Sequence, residues 1–299
     1  MSRYSVIAPA LNLRSAPTSA DPFNILGVLS FQTVVEVLEQ TSVSWWKIKT
    51  ISTGLSGFVS SRFLAPLEDT PIVVKEISKA NYPKDKRASL FTKGMMHKPI
   101  GTPNIAHRDV SSPETKRESI GILIDTLNVE HSERYRPTEK NTFCNIYAYD
   151  FCHFSDTYIP RVWWKEKAIK KLLEGQQVEV LYGETVYELN ANALHDWLLE
   201  WGDDFGWRRI SFAEEMQNAV NNEGGVGIIC AKRRDTRFSG HITVVVPETN
   251  ARKADRQAGV VLHPLQSQAG GRNRKYFSKA VGAWWRKQKF SSFVFYYHP

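Results

Sequence analysis

The sequence predicts a protein of the α+β fold class, with a small all-β barrel at the N-terminus and a larger domain behind it. Three observations support this prediction. The first part of the chain alternates short apolar runs with turn formers, the middle is rich in Pro and charge, and the last part places helices before strands. Helices followed by strands favour α+β over repeating βαβ units. The predicted domains are residues 1–66 and 119–299, joined by a linker or wrapping segment over 67–118.

Composition and charge restrict the class of protein. Lys and Arg number 39 against 31 Asp and Glu, and the net charge of +8 favours an anionic partner: nucleic acid, a membrane surface or an acidic wall polymer. Three Cys cannot build a disulfide framework, so a disulfide-stapled secreted mini-protein is excluded. The apolar runs fall short of the roughly 18 residues that a transmembrane helix needs. The N-terminal residues lack the pattern of a signal peptide, so another route of delivery is expected.

Residues 1–66 predict short antiparallel strands. Apolar and polar residues partly alternate in two of them, as in strands that are buried on one face. Turn formers such as Pro17, Pro22 and Gly54 separate the apolar runs. The predicted strands are Tyr4–Ala8, Leu11–Arg14, Thr33–Glu39, Trp45–Thr50 and Gly57–Ser60.

This segment resembles the bacterial SH3-like domain. The resemblance is carried by LNLRSAP at 11–17, WWKI at 45–48 and GLSGFVSSRFL at 54–64. It implies a small barrel that targets the chain to cell-wall peptidoglycan.

The middle segment, 67–118, has a different character. Four prolines within Asn81–Thr115, together with many basic residues, are typical of a linker or an extended wrapping chain. Within it, Thr70–Ser78 predicts one more strand, and Met95–His97 predicts a packed connector.

The larger domain is predicted to begin with helices and to end with strands. Asn141 and Thr142 are polar residues of the type that caps a helix start, and they precede the second helix. The predicted helices are Ile120–Val129, Phe143–Phe154, Ala168–Glu174, Ala193–Trp201 and Ser211–Asn221. The predicted strands are Val226–Ala231, His241–Pro247, Gly259–Leu265 and Phe290–Tyr296.

Cys144 is the candidate nucleophile. It falls in the first turn of a predicted helix, where the positive end of the helix dipole lowers the pKa of a thiol. Free backbone N–H groups at that end can stabilise an oxyanion. Asn141, Asn145 and Gln266 are candidates for the oxyanion site or the cleft wall. Helix capping is the alternative role of Asn141, and a solvent-facing helix position is that of Asn145. A buried, inert thiol is the alternative for Cys144; Cys152 and Cys230, mid-helix and mid-strand, fit that description better.

His241 is the candidate general base. It opens a Val-rich strand directly after Ser239 and Gly240, about a hundred residues beyond Cys144. Cysteine hydrolases need such a pair, because the imidazole takes the thiol proton and then protonates the leaving amine.

The pair is similar to that of the papain-like cell-wall hydrolases, namely the CHAP amidase/peptidase family and its relatives. The resemblance covers residues 120–299 and is strongest in NTFCNIYAYD at 141–150 and FSGHITVVVPE at 238–248. It implies a papain-like domain with an N-terminal catalytic helix and an antiparallel sheet, in which Cys144 is the nucleophile and His241 the base. It also implies a third residue on the next strand that orients the imidazole. That strand carries no acid here, so Gln268 or Gln266 is predicted to substitute, and Glu248 is less favoured.

Other chemistry is not predicted. The spacing of Cys144, Cys152 and His153 does not match a zinc site, and no phosphate-binding loop is present, so no metal and no cofactor are expected. The basic runs at 232–234 and 272–275 are interpreted as solvated loops, so nucleic acid is not expected. Asp203 and Asp204 are interpreted as residues of a solvated loop. Their alternative role is to bind an amino group of the substrate. Two or three of seven Trp are expected to be exposed and to line a groove. The seven candidates are Trp163, Trp164, Trp197, Trp201, Trp207, Trp284 and Trp285.

Together these features predict a cysteine amidase or endopeptidase that cleaves an amide bond in peptidoglycan. The absence of a signal peptide favours delivery as a lysin or an antibacterial effector, acting on the wall after non-classical export or lysis, with an immunity or delivery protein as a further partner. Two alternatives stay open. One is a non-catalytic wall-binding or scaffold protein, and the other is a papain-like peptidase that acts on a protein substrate.

Overall fold

The structure is a computed structural model that describes residues 2–8, 10–67, 77–81 and 105–299. The chain divides into two compact units, Met1–Val74 and Lys75–Pro299. Most of the strand predicted at Thr70–Ser78, and all of the connector predicted at Met95–His97, lie outside the described residues. No helix among the described residues has both the length and the apolar character that crossing a membrane requires.

The first unit is one antiparallel sheet of seven strands, which confirms the all-β prediction. Inward-facing residues such as Leu11, Leu13, Val35 and Ile48 form its core, as the alternation of apolar and polar residues predicts. The sheet has the order β3-β2-β6-β5-β4-β1-β7. Its strands are β1 (Arg3–Val6), β2 (Ala10–Arg14), β3 (Ile25–Ser30), β4 (Val34–Glu39), β5 (Trp45–Thr50), β6 (Ser56–Ser60) and β7 (Leu64–Pro66).

The described part of the second unit combines five helices with antiparallel sheets, and the predicted α+β class is confirmed. Its helices are α1 (Pro113–Leu127), α2 (Cys144–Phe154), α3 (Glu166–Leu173), α4 (Ala191–Trp201) and α5 (Ala213–Glu223). Its strands are β8 (Val162–Trp164), β9 (Val186–Glu188), β10 (Arg208–Ile210), β11 (Val226–Arg233), β12 (His241–Val245), β13 (Asp255–Gln257), β14 (Val260–His263), β15 (Gln266–Gln268), β16 (Arg274–Phe277) and β17 (Phe290–His298).

A six-stranded sheet in the order β10-β17-β11-β12-β15-β16 forms the centre of the second unit. Successive side chains of β11 point to opposite faces and enter different cores. Ile228 and Cys230 belong to the core that contains α1, α2 and α4, whereas Ile229 and Ala231 belong to the core that contains α5. Burial on both faces explains why this strand is a continuous apolar run.

Helix α1 begins seven residues before its predicted start at Ile120. Ser112 caps it, because its hydroxyl accepts from the backbone N–H of Thr115 while the Thr115 hydroxyl accepts from the N–H of Ser112. Pro113 follows at the first helical position, where a missing N–H costs nothing. The prolines and charges of 67–118 therefore include a capping box, which is a helix signal inside a segment interpreted as linker.

The strand predicted over Gly259–Leu265 is divided in the structure. Residues Val260–His263 pair with β13 in a separate two-stranded sheet, and the chain joins the central sheet only at Gln266. Pro264 stands between the two pieces and has no N–H to donate to a ladder. This division places Gln266, Ser267 and Gln268 on a strand of their own beside β12.

A buried ion pair attaches α2 to the segment before it. Arg134 is 0% exposed and Asp150 is 1% exposed. Nε of Arg134 donates to Oδ2 of Asp150 at 2.6 Å and its Nη2 donates to Oδ1 at 3.0 Å, while the Tyr135 hydroxyl also donates to Oδ2. Both carboxylate oxygens are thus hydrogen-bonded, as a charge removed from water requires.

Candidate active site

Cys144 is the first residue of α2, and its side chain is 2% exposed. Helix α2 packs on the face of the central sheet that contains Ile242 and Val244. The backbone N–H of Ile242, the residue after His241, lies close enough to the sulfur to lower the pKa of the thiol. The structure therefore places the predicted nucleophile beside the backbone at the beginning of β12. It does not bring the predicted base to the sulfur, because His241 pairs with Ala231 and its ring packs on Trp284, both of which belong to the core on the other face of the sheet.

The predicted capping of α2 is wrong. Phe143 is the N-cap residue and makes no side-chain cap, while Asn141 and Thr142 are exposed. The backbone N–H of Asn141 donates to the Thr138 hydroxyl at 3.0 Å, so this residue closes the preceding turn instead. The N–H groups of Cys144 and Asn145, in the first turn, have no backbone acceptor within the helix and lie close to the Cys144 sulfur.

Burial dominates the electrostatics of Cys144. It raises the pKa of the thiol, while the backbone N–H groups of Ile242, Asn145 and Cys144 itself act in the opposite direction. The predicted lowering of this pKa is therefore wrong for the net effect, although the helix-terminal N–H groups act with the predicted sign. Burial therefore keeps the Cys144 thiol protonated until a base takes its proton.

His241 begins β12 after a glycine that the geometry requires. A Cβ at Gly240 would collide with the carbonyl oxygen of Ala231 and would lie 2.7 Å from Oδ1 of Asn192. Asn192 uses that same oxygen to accept from the N–H of Arg233, and its amide nitrogen donates to the carbonyl of Phe238. Asn192 thus fixes both ends of the loop that delivers His241.

Gln268 orients the imidazole. Oε1 of Gln268 lies 2.7 Å from Nε2 of His241, and Nε2 of Gln268 donates to the carbonyl of Arg272 at 3.1 Å. Because an amide oxygen only accepts, Nε2 of His241 carries the proton and Nδ1 is the nitrogen that can receive one. Among the described residues, no hydrogen bond joins the imidazole to the sulfur of Cys144.

Burial keeps the imidazole neutral. It lowers the pKa of His241 to about 4, an effect to which Lys289 and Arg233 add and which the hydrogen bond that the ring donates to Gln268 opposes. The ring loses its proton as the pH rises through about 4, so at neutral pH it is a free base. Thiol and imidazole are therefore both uncharged at rest.

Gln266 is not a cleft residue. It is fully buried, and its Oε1 accepts from the Thr243 hydroxyl at 2.8 Å and from Nε1 of Trp284 at 2.9 Å. The Trp284 ring in turn lies 4.6 Å from the His241 ring, edge to face. Gln266 thus positions Trp284 against one side of the imidazole, a role that no sequence signal indicated.

A buried hydrogen bond joins α2 to β15. The Tyr147 hydroxyl lies 2.6 Å from the Ser267 hydroxyl, one residue from Gln268. Since Tyr147 is one turn beyond Cys144, this contact fixes the nucleophile's helix relative to the strand that orients His241. Gly270 completes the site, because a Cβ there would crowd Nε2 of Gln268 at 3.1 Å and Cε1 of His241 at 3.4 Å.

The remaining site predictions have mixed outcomes. The side-chain amide of Asn145 donates to the carbonyl of Leu189 at 2.9 Å and links α2 to the segment before α4. Glu248 forms an ion pair with Arg256. Asp203 and Asp204 are exposed, as predicted. The expectation of two or three exposed Trp among the seven is wrong, because six are buried and Trp201 is partly buried. No group of three or more metal-ligating side chains occurs in the described ranges.

Comparisons with known proteins bear mainly on the first unit. Residues 9–65 match the family described as the bacterial SH3 domain. The SH3-like part of the resemblance is confirmed. A search of curated proteins finds no match to the chain.

Two solved structures similar to the chain are NlpC2 and NlpC1 from Trichomonas vaginalis. Their sequence identities are 10% and 11%, and their TM-scores are 0.26 and 0.27. The alignments cover 99% of this chain in both cases, and 71% and 68% of the respective relatives. At such TM-scores the two similarities carry no inference about the second unit.

Thiol labelling is expected to distinguish the three cysteines, all of which are buried and free. Burial raises the pKa of Cys152 to about 12 and that of Cys230 well above its ordinary value, whereas backbone N–H groups oppose the rise at Cys144. Iodoacetamide at pH 9 should therefore modify Cys144 first, because the thiolate is the reacting form. Peptide mass spectrometry over time measures this order, and equal rates at the three sites would contradict it.

The imidazole of His241 is expected to titrate near pH 4 by NMR, well below an ordinary His. Replacing Gln268 with Glu places a carboxylate 2.7 Å from Nε2 and should raise this pKa by about one to three pH units, because an opposite charge favours the protonated ring. An unshifted His241 titration in Gln268→Glu would contradict the pairing.

Proposed function

We propose that this protein is a cysteine hydrolase that cleaves an amide bond in the peptide part of peptidoglycan. The observation that carries the proposal is the assembly at the start of β12. The thiol of Cys144, at the N-terminus of α2, lies beside the backbone of β12. The first residue of β12 is His241, and Gln268 sets the tautomer of its imidazole. Nucleophilic acyl transfer needs a nucleophile, an oriented base and backbone N–H donors, and all three occur at this end of β12. The proposal requires the imidazole, which packs on the opposite face of the strand, to reach the sulfur around the strand end.

In the proposed reaction, Nδ1 of His241 takes the thiol proton as the Cys144 sulfur attacks the amide carbonyl carbon. The backbone N–H groups of Cys144 and Asn145 stabilise the oxyanion of the tetrahedral intermediate. The imidazolium then gives its proton to the leaving amine, the C–N bond breaks and an acyl thioester remains on Cys144. Water, deprotonated by His241, hydrolyses the thioester and restores the thiol.

The bacterial SH3 domain at residues 9–65 supports the choice of peptidoglycan as substrate. In the proposal, this domain binds wall material and holds the second unit close to its substrate, which raises the effective substrate concentration. Delivery as a lysin or an antibacterial effector, with action on the wall after export or lysis, is part of the same proposal.

Product analysis of digested sacculi tests the class of bond that is cut. Incubation of purified sacculi with the full chain should release new amino groups without new reducing sugar ends, because amide hydrolysis frees an amine. New reducing ends would indicate glycosidic cleavage and overturn the proposal. Hydrolysis of casein with sacculi untouched would instead favour a peptidase that acts on proteins.

A second candidate function is recognition of the wall without catalysis. Two observations favour it: the Cys144 side chain is only 2% exposed, and burial raises the pKa of its thiol. Sedimentation with sacculi separates the candidates. Co-sedimentation without release of amino groups would support this second function, whereas release of amino groups supports the hydrolase.

A further inference from the structure

A group of basic side chains lies at the same end of the central sheet as His241. Arg233 is the last residue of β11, and Ala231 on this strand pairs with His241. Phe290 is the first residue of β17, pairs with Arg233 and is preceded by Lys289. Since these three strands are adjacent, Arg233, Lys289 and His241 lie at the same end of the sheet.

Aromatic rings connect the two cations to the imidazole. The Trp284 ring lies 4.6 Å from the ring of His241 and 5.7 Å from that of Phe290. Cζ of Arg233 is 5.6 Å from the centre of the Phe290 ring, and Nζ of Lys289 is 5.2 Å from the same centre. Both cations therefore lie against the ring of Phe290. The Phe290 ring contacts Trp284, and the Trp284 ring contacts His241.

Neither cation forms an ion pair with a carboxylate in the described part of the chain. Nε of Arg233 donates to the backbone carbonyl of Ser239 at 3.2 Å. Asp235, the acid whose pKa responds to Arg233, is engaged by Arg237, whose backbone N–H, Nε and Nη2 all donate to its carboxylate. Arg234 binds backbone carbonyls. Among the described residues, Arg233 and Lys289 thus have no carboxylate partner of their own.

The electrostatics show that these charges act on one another and on the site. Burial lowers the pKa of Lys289, and the charges of Arg233 and Lys287 lower it further. Lys289 and Arg233 in turn add to the lowering at His241. Like charges held together repel, and a bound anion would relieve that repulsion.

We propose that Arg233 and Lys289 form an anion subsite beside His241, which binds a carboxylate of the wall peptide. The identity of the ligand as a wall peptide rests on the proposed function. The guanidinium supplies a planar pair of donors that matches a carboxylate, and the ammonium supplies a point charge. The ring centre of Phe238 lies 5.8 Å from Cζ of Arg233, and Phe238 is 57% exposed. It therefore provides an apolar surface beside the guanidinium.

Binding to an inactive full chain tests the subsite without interference from turnover. Calorimetry on the Cys144→Ala chain compares a synthetic wall stem peptide with free carboxylates and the same peptide with every carboxylate amidated. The free-acid peptide should bind about tenfold more tightly, which is the order expected of a hydrogen-bonded charge pair. The preference should disappear when Arg233→Gln and Lys289→Gln are added. It should persist with Lys170→Gln and Lys171→Gln, which remove the same charge from the exposed surface of α3.

The outcomes for the subsite and for the proposed function can be told apart. Equal binding of the two peptides, including no binding of either, overturns the subsite, as does a DNA oligonucleotide that binds more tightly than the free-acid peptide. A carboxylate preference that depends on Arg233 and Lys289 supports the subsite, even if the wild-type chain releases no amino groups from sacculi. Failure of the wild-type chain to release amino groups would overturn the proposed hydrolase function and leave the anion subsite standing.

Discussion

Replacing Cys144 with Ala should abolish the release of amino groups from sacculi. Without the sulfur there is no atom to form the acyl intermediate, and the loss of a nucleophile from a catalytic pair costs at least about 10⁴-fold in rate. The measurement is the initial rate of amine release from purified sacculi by equal amounts of folded wild-type and variant chains.

The folded state of the variant should be close to that of the wild type, because only one buried sulfur is removed. Cys152→Ala is the matched control, since it also removes a sulfur from the core contacts of α2 but leaves Cys144 in place. This control should retain turnover. Amine release by Cys144→Ala at the rate of the control would contradict the assignment of the nucleophile.

Replacing Asp150 with Ala should lower the free energy of unfolding by about 3–5 kcal/mol. The change leaves the guanidinium of Arg134 buried without its counter-ion and removes the acceptor of the Tyr135 hydroxyl. Urea-induced unfolding, followed by far-UV circular dichroism, measures the loss.

An exposed pair provides the control for this effect. Arg208 and Glu223 form an ion pair at 3.0 Å with both side chains about half exposed. Glu223→Ala should lower stability by about 1 kcal/mol or less, because solvent screens exposed pairs. A loss in Asp150→Ala no larger than that in Glu223→Ala would show that the buried pair does not stabilise α2 as described.

The strands of the first unit show what local pattern predicts well. Alternation in 34–39 and 45–50 predicted β4 and β5 because one face of each strand enters the core. The strands β3 and β7 were missing from the predicted set. Most residues of β3 are not buried, and β7 spans three residues ending in Pro66, so neither strand presents a clear apolar period.

The site shows where sequence stops being sufficient. Cys144 and His241 were predicted from local features, a helix start and a glycine before an apolar strand. The pKa of the Cys144 thiol was predicted with the wrong sign, because burial by β12 outweighs the helix terminus and depends on tertiary packing. Gln268 was predicted from the family resemblance, which implies an orienting residue on the strand after that of His241. Its 2.7 Å contact with the ring depends on the division of that strand at Pro264.

The positions of Trp284, Arg233 and Lys289 beside His241 depend on sheet order rather than on distance along the chain. Arg233 and Lys289 are 56 residues apart on strands that become neighbours because β17 pairs with β11. The basic run at 232–234 was therefore interpreted as an isolated solvated loop. Residues that gain a role through pairing of distant strands leave no local signal.

The most direct test of the central claim follows one thiol and one activity in the same sample. The wild-type chain is partly alkylated with iodoacetamide at pH 9, the modified fraction of each cysteine is measured by peptide mass spectrometry, and amine release from sacculi is measured in parallel. The residual activity should equal the unmodified fraction of Cys144. Full activity with Cys144 fully alkylated would contradict the proposal that this sulfur attacks the wall peptide.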